Sequence, residues 1–185
     1  YDTDPRLGAL QVGLLGFWGE WHTYPHTDWF PSQTTQQALL TAVHQSFPTV
    51  PIQVRQPQAN SAALPIGYHD DSFAYSTLGT LDWFFWNRIL AAGESEKWKT
   101  EMMGGELRPE LQTSCFTSNY VVGEFAQDVV ECIETTHTTY LLNYNAFNKD
   151  GQGYTGEERE AAEAAALKMG YQFELMEADL TLGFL

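Results

Sequence analysis

Ala9-Leu10-Gln11-Val12-Gly13-Leu14-Leu15-Gly16-Phe17 runs directly into Trp18-Gly19-Glu20-Trp21-His22. The first nine residues are nearly all apolar or small, as expected of a parallel strand covered on both faces. The run then stops on two indoles, a carboxylate and an imidazole, so polar chemistry gathers at one strand end. The same pattern recurs downstream. Ser32-Gln33-Thr34-Thr35 opens a helical stretch to about Phe47, with Leu39, Leu40 and Val43 on one face. Pro48 and Pro51 bracket a turn before a short strand over Ile52 to Gln56. Ile66 to Asp71 reads as a third strand.

Leu81 to Met102 reads as a long aromatic-laden helical region, and Met102 to Glu106 as a strand. A helix is predicted over Phe125 to Thr136 and a strand over Tyr140 to Tyr144. Thr155-Gly156-Glu157-Glu158 caps a helix that reaches Lys168 and stops at Gly170, before a final strand over Tyr171 to Leu180. Strands alternating with helices imply a parallel sheet with right-handed crossovers. No GxGxxG or GxxxxGK[ST] loop follows any strand, so nucleotide binding has no support. The expected fold is α/β: a single domain over residues 1–185 forming the C-terminal portion of a (β/α)8 TIM barrel. A complete barrel takes about 250 residues. With 185 residues and no initiating Met, the chain is expected to supply about strands 4 to 8, the N-terminal strands lying upstream of Tyr1.

Composition narrows the ligand. Nine basic residues against 24 acidic ones give a net charge of −15, which excludes a phosphate-neutralising nucleic-acid surface and disfavours an anionic membrane. No apolar run approaches the roughly 20 residues of a membrane span. Aromatics make up 14% of the chain, enough to serve both a core and a stacking surface. Cys115 and Cys132 carry no metal-ligand spacing, so no metal and no cofactor are expected. An acidic, Lys-poor, aromatic-rich chain points to the extracellular space, where these two cysteines would pair as a disulfide rather than remain buried thiols.

In a barrel of this type, catalytic groups come from the C-terminal ends of several strands. The successive runs end in Trp18, Glu20, Trp21 and His22; in Arg55 and Gln56; in His69, Asp70 and Asp71; in Glu106 and Arg108; and in Asn143 and Asn145. Glu20, between two Trp, sits where desolvation would raise a carboxyl pKa, as a general acid requires; otherwise it caps the following loop. Glu106 follows Gly104-Gly105, which would let backbone approach a ligand closely; otherwise it is a turn acid paired with Arg108. Arg55 and His69 would orient carboxylates or hydroxyls, or form a structural pair. Asp70 and Asp71 form an acid pair or a solvated turn. His137, at a helix end where a cation suits the dipole, is expected to pack.

These residues carry a resemblance. Gly16-Phe17-Trp18-Gly19-Glu20-Trp21-His22-Thr23, Val54-Arg55-Gln56-Pro57, Gly67-Tyr68-His69-Asp70-Asp71, Gly104-Gly105-Glu106-Leu107-Arg108-Pro109-Glu110 and His137-Thr138-Thr139-Tyr140-Leu141-Leu142-Asn143 together resemble an uncharacterised TIM-barrel family related to glycoside hydrolases. The resemblance implies that Ala9 to Phe17 is about strand four, with Glu20 as acid/base and Glu106 as nucleophile of a two-carboxylate mechanism on a neutral glycan. On that reading Trp18 and Trp21 are expected to stack on sugar, Arg55, His69 and Asn143 to orient its hydroxyls, and His22 and Asp70 to join them in substrate binding. The competing expectation is a catalytically silent carbohydrate-binding or structural assembly protein of the extracellular space, partnered by other copies or by the missing part of its own barrel. A third is a metal-assisted hydrolase using His22, His69, Asp70 and Asp71.

Overall fold

The computed structural model describes residues 1–57, 61–147, 153–171, 173 and 175–177. Among them the elements run β1 (Leu10–Gln11), α1 (Gln33–Ser46), β2 (Ile52–Val54), β3 (Ile66–Phe73), α2 (Phe85–Ala91), β4 (Met103–Leu107), α3 (Val129–Thr136), β5 (Tyr140–Leu142) and α4 (Gly156–Ala166). The five strands form one parallel sheet in the order β1-β2-β3-β4-β5, curled like half of a barrel. Neighbours in sequence are neighbours in the sheet, so every connection is a crossover. The α/β architecture read from the alternation of elements is therefore present.

Local chemistry explains most element ends. The Ser32 hydroxyl accepts from Thr35 N and opens α1, which buries Leu40 with Leu39 and Val43 packed beside it. The Asp128 carboxylate accepts from Glu131 N and opens α3. That helix ends at His137, whose φ of 53° is left-handed. Its ring stacks on Trp98, and burial lowers its pKa. His137 thus packs as expected, through its ring stacked on Trp98.

The sheet separates two environments by strand alternation. Ile52, Val54, Ile66, Tyr68 and Met103 enter one buried cluster with Val12, Leu40 and Ile89. Phe73 and Leu107 enter a second with Val129, Cys132, Ile133 and Ala165. Gln53, His69, Gly104 and Tyr140 occupy the alternate positions and define a polar face. A bulge reconciles this pattern late in β3. Asp70 pairs with Gly105 and Phe73 with Leu107, so Asp71 and Ser72 stand opposite Glu106 alone. The extra residue returns Phe73 to the apolar side.

Several expectations are corrected. The first strand pairs over only Leu10 and Gln11, not Ala9 to Phe17, and it is not covered on both faces: Leu14 is 67% exposed. It is the edge of the described sheet, and the tight turns at Gly16 to Trp21 leave the ladder early. The helical region over Leu81 to Met102 contracts to α2 and a 3-10 turn at Lys97–Lys99, separated at Gly93, which adopts a φ of 73°. The last helix ends at Ala166, and Thr155 makes no side-chain cap. Cys115 and Cys132 are free thiols and not a disulfide; Cys132 Sγ turns to Gln127 Oε1, 3.6 Å away. Of the strand expected over Tyr171 to Leu180, residues 172, 174 and 178–180 lie outside the described residues, and the other five are in no strand. No described helix is long and apolar enough to cross a membrane.

Candidate functional site

The loop after β1 folds back on itself. Phe17 N donates to His22 O at 2.8 Å and Trp21 N to Leu15 O at 3.0 Å. The closure needs left-handed backbone at Gly16, Trp18, Gly19 and Trp21. A Cβ on Gly16 would collide with the His22 backbone, and one on Gly19 with Gly13. The two tryptophans consequently part company. Trp18 is 85% exposed, whereas Trp21 is 1% exposed and its indole N–H donates to the Val12 carbonyl. Trp21 is therefore core and offers no stacking surface, a correction to the expected site. Trp29, 62% exposed and stacked on His26, and Tyr24 add exposed rings on the same segment.

Arg55, just beyond β2, joins the strand ends. Its Nη1 lies 2.9 Å from Glu20 Oε2, and its Nε lies 2.9 Å from Asp71 Oδ2. One guanidinium thus faces two carboxylates. The first contact is a hydrogen bond. The second is off the N–H direction, so the buried Asp71 Oδ2 has charge contact but no hydrogen bond. His22 Nδ1 accepts from Tyr24 N at 3.3 Å, which leaves Nε2–H to face Glu20 Oε2, also at 3.3 Å. Both partners of Glu20 converge on Oε2; among the described residues, Oε1 receives no hydrogen bond.

Asp71 is the electrostatic centre. Burial pushes its carboxyl up to about 7, Arg55 acts to lower it, and Glu20 and Asp70 raise it. Its Oδ1 accepts from Gln11 Nε2 at 3.3 Å and lies 3.4 Å from His69 Nε2. His69, only 2% exposed, is pushed down to about 4 by burial and by Arg55. On its other side, Nδ1 is 2.7 Å from the Tyr140 hydroxyl, which donates to Gln53 Oε1 at 2.6 Å.

The remaining sequence-predicted residues divide. Asp70 lies one residue along β3 and so points to the opposite face. It is buried, accepts from Thr77 Oγ1 and Ser72 N, and is not part of the polar cluster. Burial raises its pKa as well. Glu106 stands opposite the bulge on the polar side and makes no side-chain hydrogen bond or ion pair with a described residue. Arg108 pairs instead with Glu110. The glycine pair before Glu106 does not open the backbone to a ligand: Gly104 accommodates the Tyr140 ring and Gly105 the Asp70 backbone and Phe73. Asn143 belongs elsewhere, bonded to Tyr154 at 3.2 Å beside a cavity of about 520 Å³ between α3, α4 and β5. Glu20, His22, Arg55 and His69 are thus brought together; Trp21, Asp70 and Asn143 are not.

Gln53 and Tyr140 are members of the cluster that sequence reasoning missed, and Asp71 entered it only beside Asp70, as an acid pair, a turn or a metal ligand. Strand parity could have separated the two, because His69 and Asp71 share a face that Asp70 does not. The metal alternative gains nothing, since no group of three or more His, Cys, Asp or Glu among the described residues is placed to hold an ion. Comparison with protein-family models, curated proteins and solved structures finds no match.

Proposed function

We propose that the polar strand ends form a glycoside-hydrolase-like site for a neutral glycan, with Asp71 and Glu20 as its two carboxylates. The observation that carries this reading is the single guanidinium of Arg55 set 2.9 Å from each of them. Hydrolysis of a glycosidic bond needs one carboxyl that keeps its proton at working pH and one that accepts. Asp71, raised to about 7, fits the first role and would protonate the leaving oxygen. Glu20, oriented through Oε2 by Arg55 and His22, keeps Oε1 for an attacking water or the anomeric carbon. Trp18, its ring centroid 6.1 Å from that of His22, is an exposed flat surface on which the apolar face of a sugar can stack. The acid role is therefore reassigned from Glu20 to Asp71, and Glu20 takes the accepting role expected of Glu106.

The curled parallel sheet supports reading the chain as part of a (β/α)8 barrel whose strand ends carry this site. An extracellular location belongs to the same proposal and rests on composition. A second reading, glycan binding without turnover, is supported by the pairing of Glu20 with Arg55, which already balances its charge. Both readings share the site and differ in chemistry.

Hydrolysis of a panel of neutral oligosaccharides by the parent protein and by Glu20→Gln, Asp71→Asn and Glu106→Gln separates them. Turnover lost in the first two variants and kept in the third is the expected result. Turnover that survives Asp71→Asn but not Glu106→Gln returns the role to Glu106. Binding without any turnover supports the second reading, and neither binding nor turnover across the panel refutes both.

A further inference from the structure

We propose that Gln53 and Tyr140 are positioning residues that fix the direction of the hydrogen bonds in a chain from Asp71 through His69 and Tyr140 to Gln53, holding His69 as its Nδ1–H tautomer with the bare Nε2 turned to Asp71. The proposal deepens the reading of Asp71 as the acid of the site and rests on that reading for its purpose. The chain itself can be observed without turnover.

The direction is set at Gln53. Its Nε2 donates to two main-chain carbonyls, Tyr68 O at 2.9 Å and Met102 O at 3.1 Å. Carbonyls only accept, so flipping the amide would place an oxygen against two oxygens. Oε1 is therefore the end presented to Tyr140, 2.6 Å away, and the phenol must donate to it. A phenol has one proton. At His69 Nδ1, 2.7 Å away, the Tyr140 oxygen must accept, and Nδ1 carries the hydrogen.

A neutral imidazole protonated at Nδ1 has a lone pair at Nε2. That lone pair lies 3.4 Å from Asp71 Oδ1. Two acceptors repel there, whereas a carboxylic acid and a lone pair attract, so the chain favours the protonated form of Asp71. A doubly protonated His69 would satisfy an ionised Asp71 equally well. It is opposed by the near-complete burial of the ring and by the adjacent Arg55. The groups facing this pair are Arg55 after β2, Glu20 after β1, Glu106 opposite the bulge on β4, and Asp70 behind the sheet. Arg55 favours ionised Asp71; Glu20 and Asp70 disfavour it. After Asp71 gives its proton to a leaving oxygen, the new carboxylate faces a lone pair and takes up, through solvent, the proton that the hydrolytic water has released to Glu20, which resets the acid.

Long-range 1H–15N NMR of the histidine rings tests the chain in the full protein. The expected parent spectrum shows His69 with a protonated Nδ1 and a pyridine-like Nε2 near neutral pH. In Tyr140→Phe, Nδ1 loses its acceptor, the ring moves to the Nε2–H form, and the Asp71 midpoint falls while that of His69 rises. A parent ring protonated at Nε2 overturns the proposal, as does a Tyr140→Phe ring and Asp71 midpoint that do not move. Gln53→Met, which keeps length but removes the acceptor, is expected to shift the same tautomer and replaces Tyr140→Phe if that variant does not fold; an unmoved tautomer there also overturns the proposal. If the chain is present and no glycan is turned over, the proposal stands and the hydrolase reading falls.

Discussion

The Tyr140 hydroxyl on β5 lies 2.7 Å from Nδ1 of His69 on β3, two strands away in the sheet. The reach is possible because the residue between them on β4 is Gly104, paired with His69 on one side and with Tyr140 on the other. A Cβ at that position would fall within the Tyr140 ring.

Gly104→Ala is accordingly expected to do more than crowd a strand. Overpacking of a close-packed site costs about 1–3 kcal/mol, measurable as a lower urea midpoint. The displaced ring would also release His69, so the variant should share the tautomer change of Tyr140→Phe. A variant as stable as the parent would show that Tyr140 does not lie across β4.

The two buried titrating partners should oppose each other in stability. The folded pKa of Asp71 is raised from 3.8 to about 7, so its contribution is present below pH 3.8 and is lost as pH rises towards 7. The folded pKa of His69 is lowered from 6.5 to about 4, so its contribution is present above pH 6.5 and is lost as pH falls towards 4. Between those limits the slopes cancel in the parent, each being at most about 1.4 kcal/mol per pH unit. Relative to the parent, Asp71→Asn should gain stability as pH rises from 4 to 6.5, and His69→Gln should lose it. Urea unfolding at three pH values reads both signs, and equal slopes in the two variants would contradict the assignment.

The two tryptophans of the loop should separate stability from ligand binding. Trp21→Ala empties a core position and is expected to cost about 3–5 kcal/mol. Trp18→Ala, at an 85% exposed site, should change unfolding by no more than about 0.5 kcal/mol while weakening glycan binding. Equal destabilisation by both would contradict their placement on opposite sides of the loop.

How much of this was legible in the sequence depends on the distance over which each feature is encoded. Period and cap chemistry placed α1 and, to within a few residues, β2 to β5, because Ser32 and short apolar runs act on their immediate neighbours; the Asp128 cap went unread, and the helix expected from Phe125 starts at Val129. The opposite fates of Trp18 and Trp21 were not legible, because they follow from four left-handed residues between Gly16 and Trp21. Asp70 and Asp71 differ only by strand parity, which the pattern Tyr68-His69-Asp70-Asp71 contains but which an acid pair read as one unit conceals. The partnership of Tyr140 with Gln53 spans 87 residues and depends on a missing side chain at Gly104. No local signal carries it.

The most direct test of the site is the carboxyl 13C titration of Asp71 in the intact protein. A midpoint near 7, falling in Tyr140→Phe, is the expected result. A midpoint in the ordinary carboxylate range of about 4 would leave the strand ends without an acid at neutral pH and would contradict the proposed site.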